Sequence, residues 1–414
     1  MTQIERAVAD AHRREWAFVL AATARVARDM DLAEECVQEA YATALQVWER
    51  DGIPKNPGAW LTTVAKRTAL DALRRQNVFR SKLPLLVEPD EADMDFDSTG
   101  DVIRDDRLRL IFTCCHPALS GEAQIALTLR LVCGVSTGDI AQAFLVTEAT
   151  MAARITRAKK KISAARIAYR VPAAGELPDR LDAVLTVIHL LFTTGYTAPS
   201  GEHLVRADLV QRALDLTRML RELMPDEREV WGLLALLLVT DARKATRTDA
   251  DGKLLLLEDQ DRSQWDRAAI AEGHRLVVDA LRGGNPGRFA IQAAIAALHA
   301  TAPTYADTDW PQIIVLYDAL LQVWPSPVVS LNRAIAVTMV DGPAAGLAEI
   351  EALEADGRLS GYRYLPATKA DLLRRLERWS EAETAYRAAR QLAENDAERE
   401  FLDARLAEVT TAAS

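Results

Sequence analysis

Nucleophilic and metal-binding side chains are sparse in this chain of 414 residues and form no recognisable reactive site. Cys114, Cys115 and His116 form the one cluster of soft ligands, but three adjacent side chains on a helix point in different directions. No histidine lies at motif spacing from a carboxylate or a serine, and no GxGxxG or GxxxxGK[ST] phosphate-binding pattern occurs. These observations favour structural thiols over a metal site and predict a protein without a cofactor that is not an enzyme.

The candidate functional groups in this sequence are clustered, positively charged side chains. A helix predicted from Thr147 onwards buries one apolar face, and its other face carries Thr150, Arg154, Arg157 and Lys161. Cations one helical turn apart, with the small residues Ala152 and Ala153 beside them, suit a helix that enters the major groove of DNA. The adjacent run of lysines would contact phosphates, which carry no sequence information: Lys159, Lys160 and Lys161.

Two earlier helices carry further candidate contacts. The helix predicted from Gly58 has a basic face with Lys66, Arg67, Arg74 and Arg75. Trp60 on that helix is more simply a core anchor, although it could stack on a base if the ligand were single-stranded DNA. Residues 31–49 form an amphipathic helix whose acidic face is either solvated or a docking surface for a basic partner; its candidate residues are Asp31, Glu34, Glu35, Gln38 and Glu39.

Local capping signals predict the elements that position these side chains. Ser136 and Asp139 resemble a capping box that opens a short helix, and Thr147 followed by Glu148 starts the basic helix. Ser120 is a further candidate cap. Two short helices joined by a tight turn, the second of them basic, make a helix-turn-helix pattern. Residues 78–103 lack periodicity and carry many carboxylates, which predicts a flexible acidic linker.

Charge is distributed unevenly along the chain. The net charge of −10 argues by itself against nucleic-acid binding, but residues 1–170 hold 24 basic and 23 acidic residues, and residues 171–414 hold 26 and 37. Without the acidic segment 77–103, the net charge of residues 1–170 is +6, whereas the net charge of residues 171–414 is −11. Such alternation predicts segments with different partners. No apolar run reaches the length of a membrane span, so the predicted location is the cytoplasm, away from membranes.

The sequence pattern of residues 171–414 predicts eleven helices between 181 and 409, separated by short breaks. The alanines at 345 and 348 correspond to those at 382 and 385, an offset of 37 residues that is close to the tetratricopeptide period. Residues 246–266 interrupt the pattern with acidic side chains but lack the glycine and ligand positions of a calcium loop. The pattern predicts a tetratricopeptide-like helical array.

The motifs up to residue 170 resemble the bacterial extracytoplasmic-function sigma factors, which are promoter-specificity subunits of RNA polymerase. Residues 31–41 (DLAEECVQEAY) are similar to region 2.2, which docks on the polymerase clamp. Residues 60–75 (WLTTVAKRTALDALRR) are similar to regions 2.3 and 2.4, which open and read the minus-ten element. Residues 139–141 (DIA) and 149–158 (ATMAARITRA) are similar to region 4.2, which reads the minus-thirty-five element.

Departures from the family pattern bear on the promoter sequence rather than on the role. Arg67 stands where the family usually has Asn, and Ala149 and Met151 stand where it usually has Gly and Val. The rest of the chain resembles the long tetratricopeptide-like extension of one subgroup, in residues 190–196, 257–266, 326–334 and 364–372. That subgroup generally lacks a dedicated anti-sigma partner, which implies that the extension regulates activity.

The resemblance implies an all-α protein with four segments: a region 2 domain (1–77), an acidic linker (78–103), a region 4 helix-turn-helix domain (104–170) and the extension (171–414). It implies core RNA polymerase and promoter DNA as partners, and the charge distribution predicts an intramolecular contact between the extension and the sigma domains. An alternative function is a DNA-binding regulator or scaffold whose repeats bind a peptide, with no polymerase role. An all-helical enzyme is a third, for which the sequence offers no convergent titratable groups.

Overall fold

The computed structural model describes residues 2–82, 106–144, 146–196, 207–249, 255–393 and 396–413. No strand occurs in these ranges, and the predicted all-α class is confirmed. The α-helices are, in chain order, α1 (Gln3–Ala27), α2 (Met30–Asp51), α3 (Pro57–Lys82), α4 (Asp106–Cys114), α5 (Gly121–Leu127), α6 (Thr137–Ala143), α7 (Glu148–Ala164), α8 (Leu177–Tyr196), α9 (Ala207–Leu223), α10 (Arg228–Asp241), α11 (Arg267–Leu281), α12 (Arg288–Thr301), α13 (Trp310–Val323), α14 (Pro327–Asp341), α15 (Pro343–Asp356), α16 (Tyr364–Arg375), α17 (Trp379–Leu392) and α18 (Asp396–Ala413).

The chain divides into two compact units, residues 1–190 and residues 191–414. The division falls within α8. The acidic segment predicted as a linker lies outside the described residues from position 83 onwards. The segment boundaries at residues 77, 103 and 170 stay predictions.

Capping side chains explain where the first helices begin. The Thr2 hydroxyl accepts a hydrogen bond from the Glu5 amide at 3.1 Å, and the Glu5 carboxylate accepts one from the Thr2 amide at 2.7 Å. At the start of α2, the Asp29 carboxylate accepts a bond from the Leu32 amide at 2.7 Å. These bonds satisfy amides that have no partner within a helix. Helices α1, α2 and α3 pack on one another around a core that includes Trp48.

The predicted helix-turn-helix consists of α6 and α7. The Asp139 amide donates to the Ser136 hydroxyl at 3.1 Å, and the Thr150 amide donates to the Thr147 hydroxyl at 3.2 Å, so both predicted helix starts are confirmed. The cap predicted at Ser120 is wrong in part: α5 begins at the next residue, but the Ser120 side chain makes no capping hydrogen bond. The inward face of α7 is buried as predicted: Met151, Ile155, Ala158 and Ile162.

Helix α5 continues into a π-helical turn, Thr128–Val132, and ends near Gly134. Gly134 has φ of +66°, a conformation that strains other residues. A Cβ atom at Gly134 would also lie 2.8 Å from the Trp16 ring. The glycine therefore lets the end of this helix approach α1 closely.

The second unit is an array in which successive helices from α11 to α18 pack on their neighbours, as predicted. Close contact between α10 and α12 depends on Gly232, because a Cβ atom there would lie 2.5 Å from the Ala290 amide nitrogen. The predicted 37-residue correspondence is off by one residue. Gly346 and Ile350 are the buried equivalents of Ala382 and Tyr386, which gives an offset of 36.

Candidate nucleic-acid and partner interface

The residues predicted to dock a partner lie along α2, but they differ in exposure. Asp31, Glu35, Gln38 and Glu39 are exposed. Glu34 is only 6% exposed, although the sequence pattern put it on the outer face. A buried carboxylate needs compensating charges or hydrogen bonds. The groups around Glu34 therefore determine whether this end of α2 is available to a partner.

Two cations from the helix-turn-helix part of the chain hold Glu34. The Lys159 ammonium, on α7, lies 2.7 Å from a Glu34 carboxylate oxygen and 2.7 Å from a carboxylate oxygen of Asp31. Arg130, in the π-helical turn after α5, pairs with the other carboxylate oxygen of Glu34. The Gln38 amide donates to that oxygen at 3.1 Å. We call Asp31, Glu34, Arg130 and Lys159 the ion-pair cluster.

Most of the ion-pair cluster is withdrawn from water. The side chains of Glu34, Lys159 and Arg130 are 9%, 10% and 18% exposed, whereas that of Asp31 is 71% exposed. Burial by itself would lower the pKa of Lys159, but the carboxylates of Glu34 and Asp31 outweigh burial and raise it. Lys159 therefore stays charged. Removing one partner from a buried pair is strongly destabilising, so the cluster is a specific link between α2 and α7.

Neighbouring contacts join the same two parts of the first unit. The Trp16 indole N–H donates to the Leu131 carbonyl at 3.0 Å. The Tyr169 hydroxyl donates to the Ala21 carbonyl at 3.2 Å. Both acceptor and donor groups are buried, so these bonds form away from competing water. The three-helix bundle α1–α3 and the helix-turn-helix part thus pack as one body.

The predicted DNA-contacting face of α7 is only partly free. Thr150, Arg157, Lys160 and Lys161 are exposed. Arg154 is half-buried and pairs with Glu122 of α5 at 3.0 Å. Lys159 lies beside Lys160 in sequence but is turned towards α2, because successive residues of a helix are about 100° apart. The structure thus divides the predicted lysine run between two faces.

Helix α3 presents the other predicted basic set. Arg67, Arg74 and Arg75 are exposed and Lys66 is half-buried. Arg74 pairs with Asp71 at 3.2 Å, and both side chains are exposed. An exposed pair of this kind contributes about 0–1 kcal/mol, so a phosphate can replace the carboxylate readily.

Trp60, at the start of α3, is half-buried. Its ring stands edge-on to the Trp48 ring, with centroids 5.6 Å apart. Such edge-to-face pairs contribute about 0.5–1.5 kcal/mol beyond their buried area. Trp60 therefore anchors α3 on α2, as predicted, and keeps part of its surface exposed.

Arg130 was not among the residues predicted from the sequence to form a site. The sequence feature that could have indicated its role is a single charge inside the apolar run 125–133 (IALTLRLVC). A lone cation in a buried helix requires a partner of opposite charge, but the sequence does not say which carboxylate supplies it. The partner is 96 residues away in the chain, on α2.

The predicted structural thiols are confirmed at two positions. Cys114 and Cys115 are buried, and burial raises the pKa of Cys115 to about 12 and also raises that of Cys114. The Cys115 sulfur lies 3.4 Å from the Thr128 hydroxyl. Because a thiolate is the form that attacks or binds metals, these neutral thiols serve as packing groups.

Comparison with known proteins gives family matches for three parts of the chain and one relative over most of its length. Residues 9–78 match the family model for sigma-70 region 2, and residues 109–162 match the model for sigma-70 region 4. Residues 180–281 match a family of unknown function. The chain is 46% identical over 387 residues to an uncharacterised protein of Rhizobium meliloti (strain 1021). The aligned residues cover 92% of this chain and 91% of that protein. No solved structure matches.

Within the described residues, every helix is either too short or too polar to cross a bilayer. The two sigma-70 modules stand in the order region 2, region 4, and the chain continues into a long helical region. Sigma factors bind core RNA polymerase and promoter DNA, and their families are not enzymes. The chain belongs to the sigma factors of the extracytoplasmic-function type that carry a C-terminal extension.

Proposed function

We propose that this sigma factor directs core RNA polymerase to promoters from the cytoplasm, with α2 as its polymerase-binding helix. The residues assigned to that contact are Asp31, Glu34, Glu35, Gln38 and Glu39. Four of them are exposed on one helix, three as carboxylates. A concentrated acidic face accelerates encounter with a basic partner and fixes its orientation.

Promoter DNA is held by α3 and α7. The residues assigned to DNA are Trp60, Lys66, Arg67, Arg74 and Arg75 on α3, and Thr150, Arg154, Arg157, Lys159, Lys160 and Lys161 on α7. Cations on α7 contact phosphates and position the helix, while the residues near its start reach base edges. On α3, flipped bases gain stacking and pocket contacts that offset the few kcal/mol of unpairing.

The ion-pair cluster supports a closed state of the sigma modules, and this observation carries the proposal. The cluster joins Lys159, assigned to DNA, to Asp31 and Glu34, assigned to polymerase. Because a carboxylate oxygen cannot serve both partners at full strength, polymerase binding to α2 competes with closure. Separation of Lys159 and Arg130 from α2 is therefore the opening step of initiation.

The C-terminal extension regulates this opening. Its net charge of −11 is opposite in sign to the net charge of +6 that residues 1–76 and 104–170 carry together. A tether makes any contact between them intramolecular, with an effective concentration on the order of mM for a short flexible linker. Weak contacts then suffice to favour a closed form. The charge distribution is the support for this part of the proposal.

Transcription with purified core polymerase tests the sigma role. The full chain should start transcription from its promoter, and replacing both Arg154 and Arg157 by Ala should remove most binding to the minus-thirty-five element. Replacing Arg166, exposed beyond the end of α7, by Ala is the matched control. A chain that binds DNA but never associates with core polymerase would instead be a regulator or scaffold.

A shortened chain tests the extension. Ending the chain at Tyr196 keeps the whole of α8 and removes the later helices. Autoinhibition predicts stronger promoter binding at low salt, with helicity retained in circular dichroism. Loss of transcription by a shortened chain that remains folded would identify the extension as an activating element.

A further inference from the structure

A cavity of about 530 Å³ lies within residues 191–414, among the helices of the array. Three successive even-numbered helices each contribute one face. Helix α14 contributes Ile335 and Met339, α16 contributes Tyr364 and Ala367, and α18 contributes Phe401, at spacings of three or four residues along one side. The cavity is therefore formed by the architecture of the array.

The segment that interrupts the helical pattern forms another wall. Among the described residues of this segment, Arg247, Leu256 and Leu257 line the cavity. An open groove of stacked helices suits an extended chain, whereas a groove bounded by an extra segment encloses a compact ligand. The volume is within the range of about 300–1,000 Å³ that is typical of small-molecule sites.

Aromatic rings make the cavity suitable for a flat ligand. Tyr305 and Trp310 are edge-on, with centroids 5.4 Å apart, and Trp310 is also edge-on to His299 at 5.1 Å. Burial lowers the pKa of His299 to about 4, so its ring is neutral near pH 7. The buried Nδ1 atom of His299 has no hydrogen-bond partner among the described residues. Ligand aromatic rings pack well against such surfaces.

The charges in the wall favour an anion over a cation. Four arginines line the cavity against three acidic residues. Glu398 already accepts hydrogen bonds from Arg363 at 3.2 Å and from the Tyr364 hydroxyl at 3.0 Å. Asp371 pairs with Arg374 at 2.7 Å and with Arg375 at 2.8 Å. These two carboxylates are therefore paired within the wall, and Arg405 likewise pairs with Glu408 at 2.9 Å. With these partners included, five arginines stand against four carboxylates, so the excess charge is positive.

We propose that this cavity binds a small molecule with a flat aromatic body and one anionic group. The aromatic body packs between the tyrosine and tryptophan rings, and the anionic group faces the arginine side chains. Planar guanidinium groups with several donors suit a carboxylate, sulfonate or phosphate. This ligand site goes beyond the sigma role and does not depend on it, because binding is measured without polymerase or DNA.

Two matched fluorescent probes test the proposal on the full chain. 8-Anilinonaphthalene-1-sulfonate carries the proposed anion, and N-phenyl-1-naphthylamine has the same ring system without it. The sulfonate should bind saturably with one site per chain and at least about tenfold more tightly than the neutral probe. Tenfold corresponds to about 1.4 kcal/mol. Equal affinities would overturn the anionic part of the proposal.

Matched variants locate the bound probe. Ile335→Trp fills the cavity and should abolish binding of both probes, whereas Val340→Trp on the same helix should not, since Val340 does not line the cavity. Both positions tolerate a larger side chain because Ile335 is 37% exposed and Val340 is 45% exposed. Unchanged binding in Ile335→Trp would overturn the site.

A second pair of variants tests the charge. Arg375→Gln removes a cavity cation and leaves Asp371 paired with Arg374. It should weaken the sulfonate about fivefold or more and leave the neutral probe unchanged. Arg378→Gln, three residues further along between α16 and α17 and paired with Glu381 outside the cavity, is the control. Equal effects of the two variants on the sulfonate would overturn the assignment of its anionic group.

Discussion

Replacement of Lys159 by Met isolates the contribution of the ion-pair cluster to the closed state. Methionine keeps an unbranched apolar stem but removes the ammonium group that lies 2.7 Å from two carboxylates. Glu34 retains Arg130 and Gln38 as partners. Asp31 is largely exposed and is solvated by water instead. Neither carboxylate is therefore left buried without a partner.

The expected loss follows from these partners. Breaking a buried pair so that one charge remains alone costs about 3–5 kcal/mol. A hydrogen bond to a charged group contributes about 1.5–3 kcal/mol. Because Arg130 continues to neutralise Glu34, the second range applies, and we expect a loss of about 2 kcal/mol from the closed state. That corresponds to a fall of about 30-fold in the ratio of closed to open molecules.

The assay is binding to core polymerase without DNA, because Lys159 is also assigned to the promoter contact. We expect Lys159→Met to bind up to about 30-fold more tightly than the unaltered chain. Lys160→Met is the matched control, since Lys160 is exposed on the same helix and should change the affinity less than about twofold. Faster hydrogen exchange of the α2 and α7 amides should accompany the tighter binding.

Equal polymerase affinities for the two lysine variants, with unchanged exchange in α2, would refute the reasoning. Such a result would mean that the ion-pair cluster does not limit access to α2. A loss of affinity in Lys159→Met alone would also refute it, because Lys159 would then contact polymerase directly. Lys159→Glu, which places a third carboxylate in the cluster, should open the sigma modules further than Lys159→Met.

Three further outcomes are expected from the remaining structure. Since burial lowers the pKa of His299 to about 4, the unfolded chain binds more protons between pH 4 and 6.5, and the unfolding free energy falls as the pH falls through that window. His299→Gln should show a smaller fall, measured by urea denaturation at pH 7 and pH 4.5. Gly232→Ala should lower Tm by several degrees, corresponding to about 1–3 kcal/mol of overpacking, whereas Gly175→Ala, which meets open space, should change it little. Cys114 and Cys115 should react with Ellman's reagent at pH 8 only after denaturation, because both thiols are buried with raised pKa values.

Local signals predicted most of the helical structure. Helix α14, one of the eleven helices predicted between 181 and 409, runs from Pro327 to Asp341, and a proline at its first turn and a glycine beyond its end mark both limits. Helix α7 was predicted from its cap at Thr147 and its apolar period. In both cases the information lies within one helix length. Caps and periodicity therefore sufficed.

Contacts between distant parts of the chain could not be predicted in this way. The sequence pattern places Glu34 on the exposed acidic face of α2, since nothing near it in sequence indicates burial. Its cations are 96 and 125 residues away. Charge patterns give the sign of a surface but not the partner that covers it. The residues predicted to contact DNA and polymerase thus lie on the expected helices, but the contact of Lys159 with Asp31 and Glu34 was not predicted.

The size of the Lys159→Met effect measures how closed the sigma modules are. If closure blocks α2, the apparent polymerase affinity equals the intrinsic affinity multiplied by the open fraction. A fall of about 30-fold in the closed-to-open ratio then gives a gain near 30-fold only when closed molecules outnumber open ones by several hundred to one. A starting ratio of about 10 gives a gain of about 8-fold, and a ratio below one gives a gain of less than about 2-fold. Measured in the full chain and in the chain ending at Tyr196, the two gains report how much of the closure depends on the extension, because the mutated contact lies wholly within the first unit.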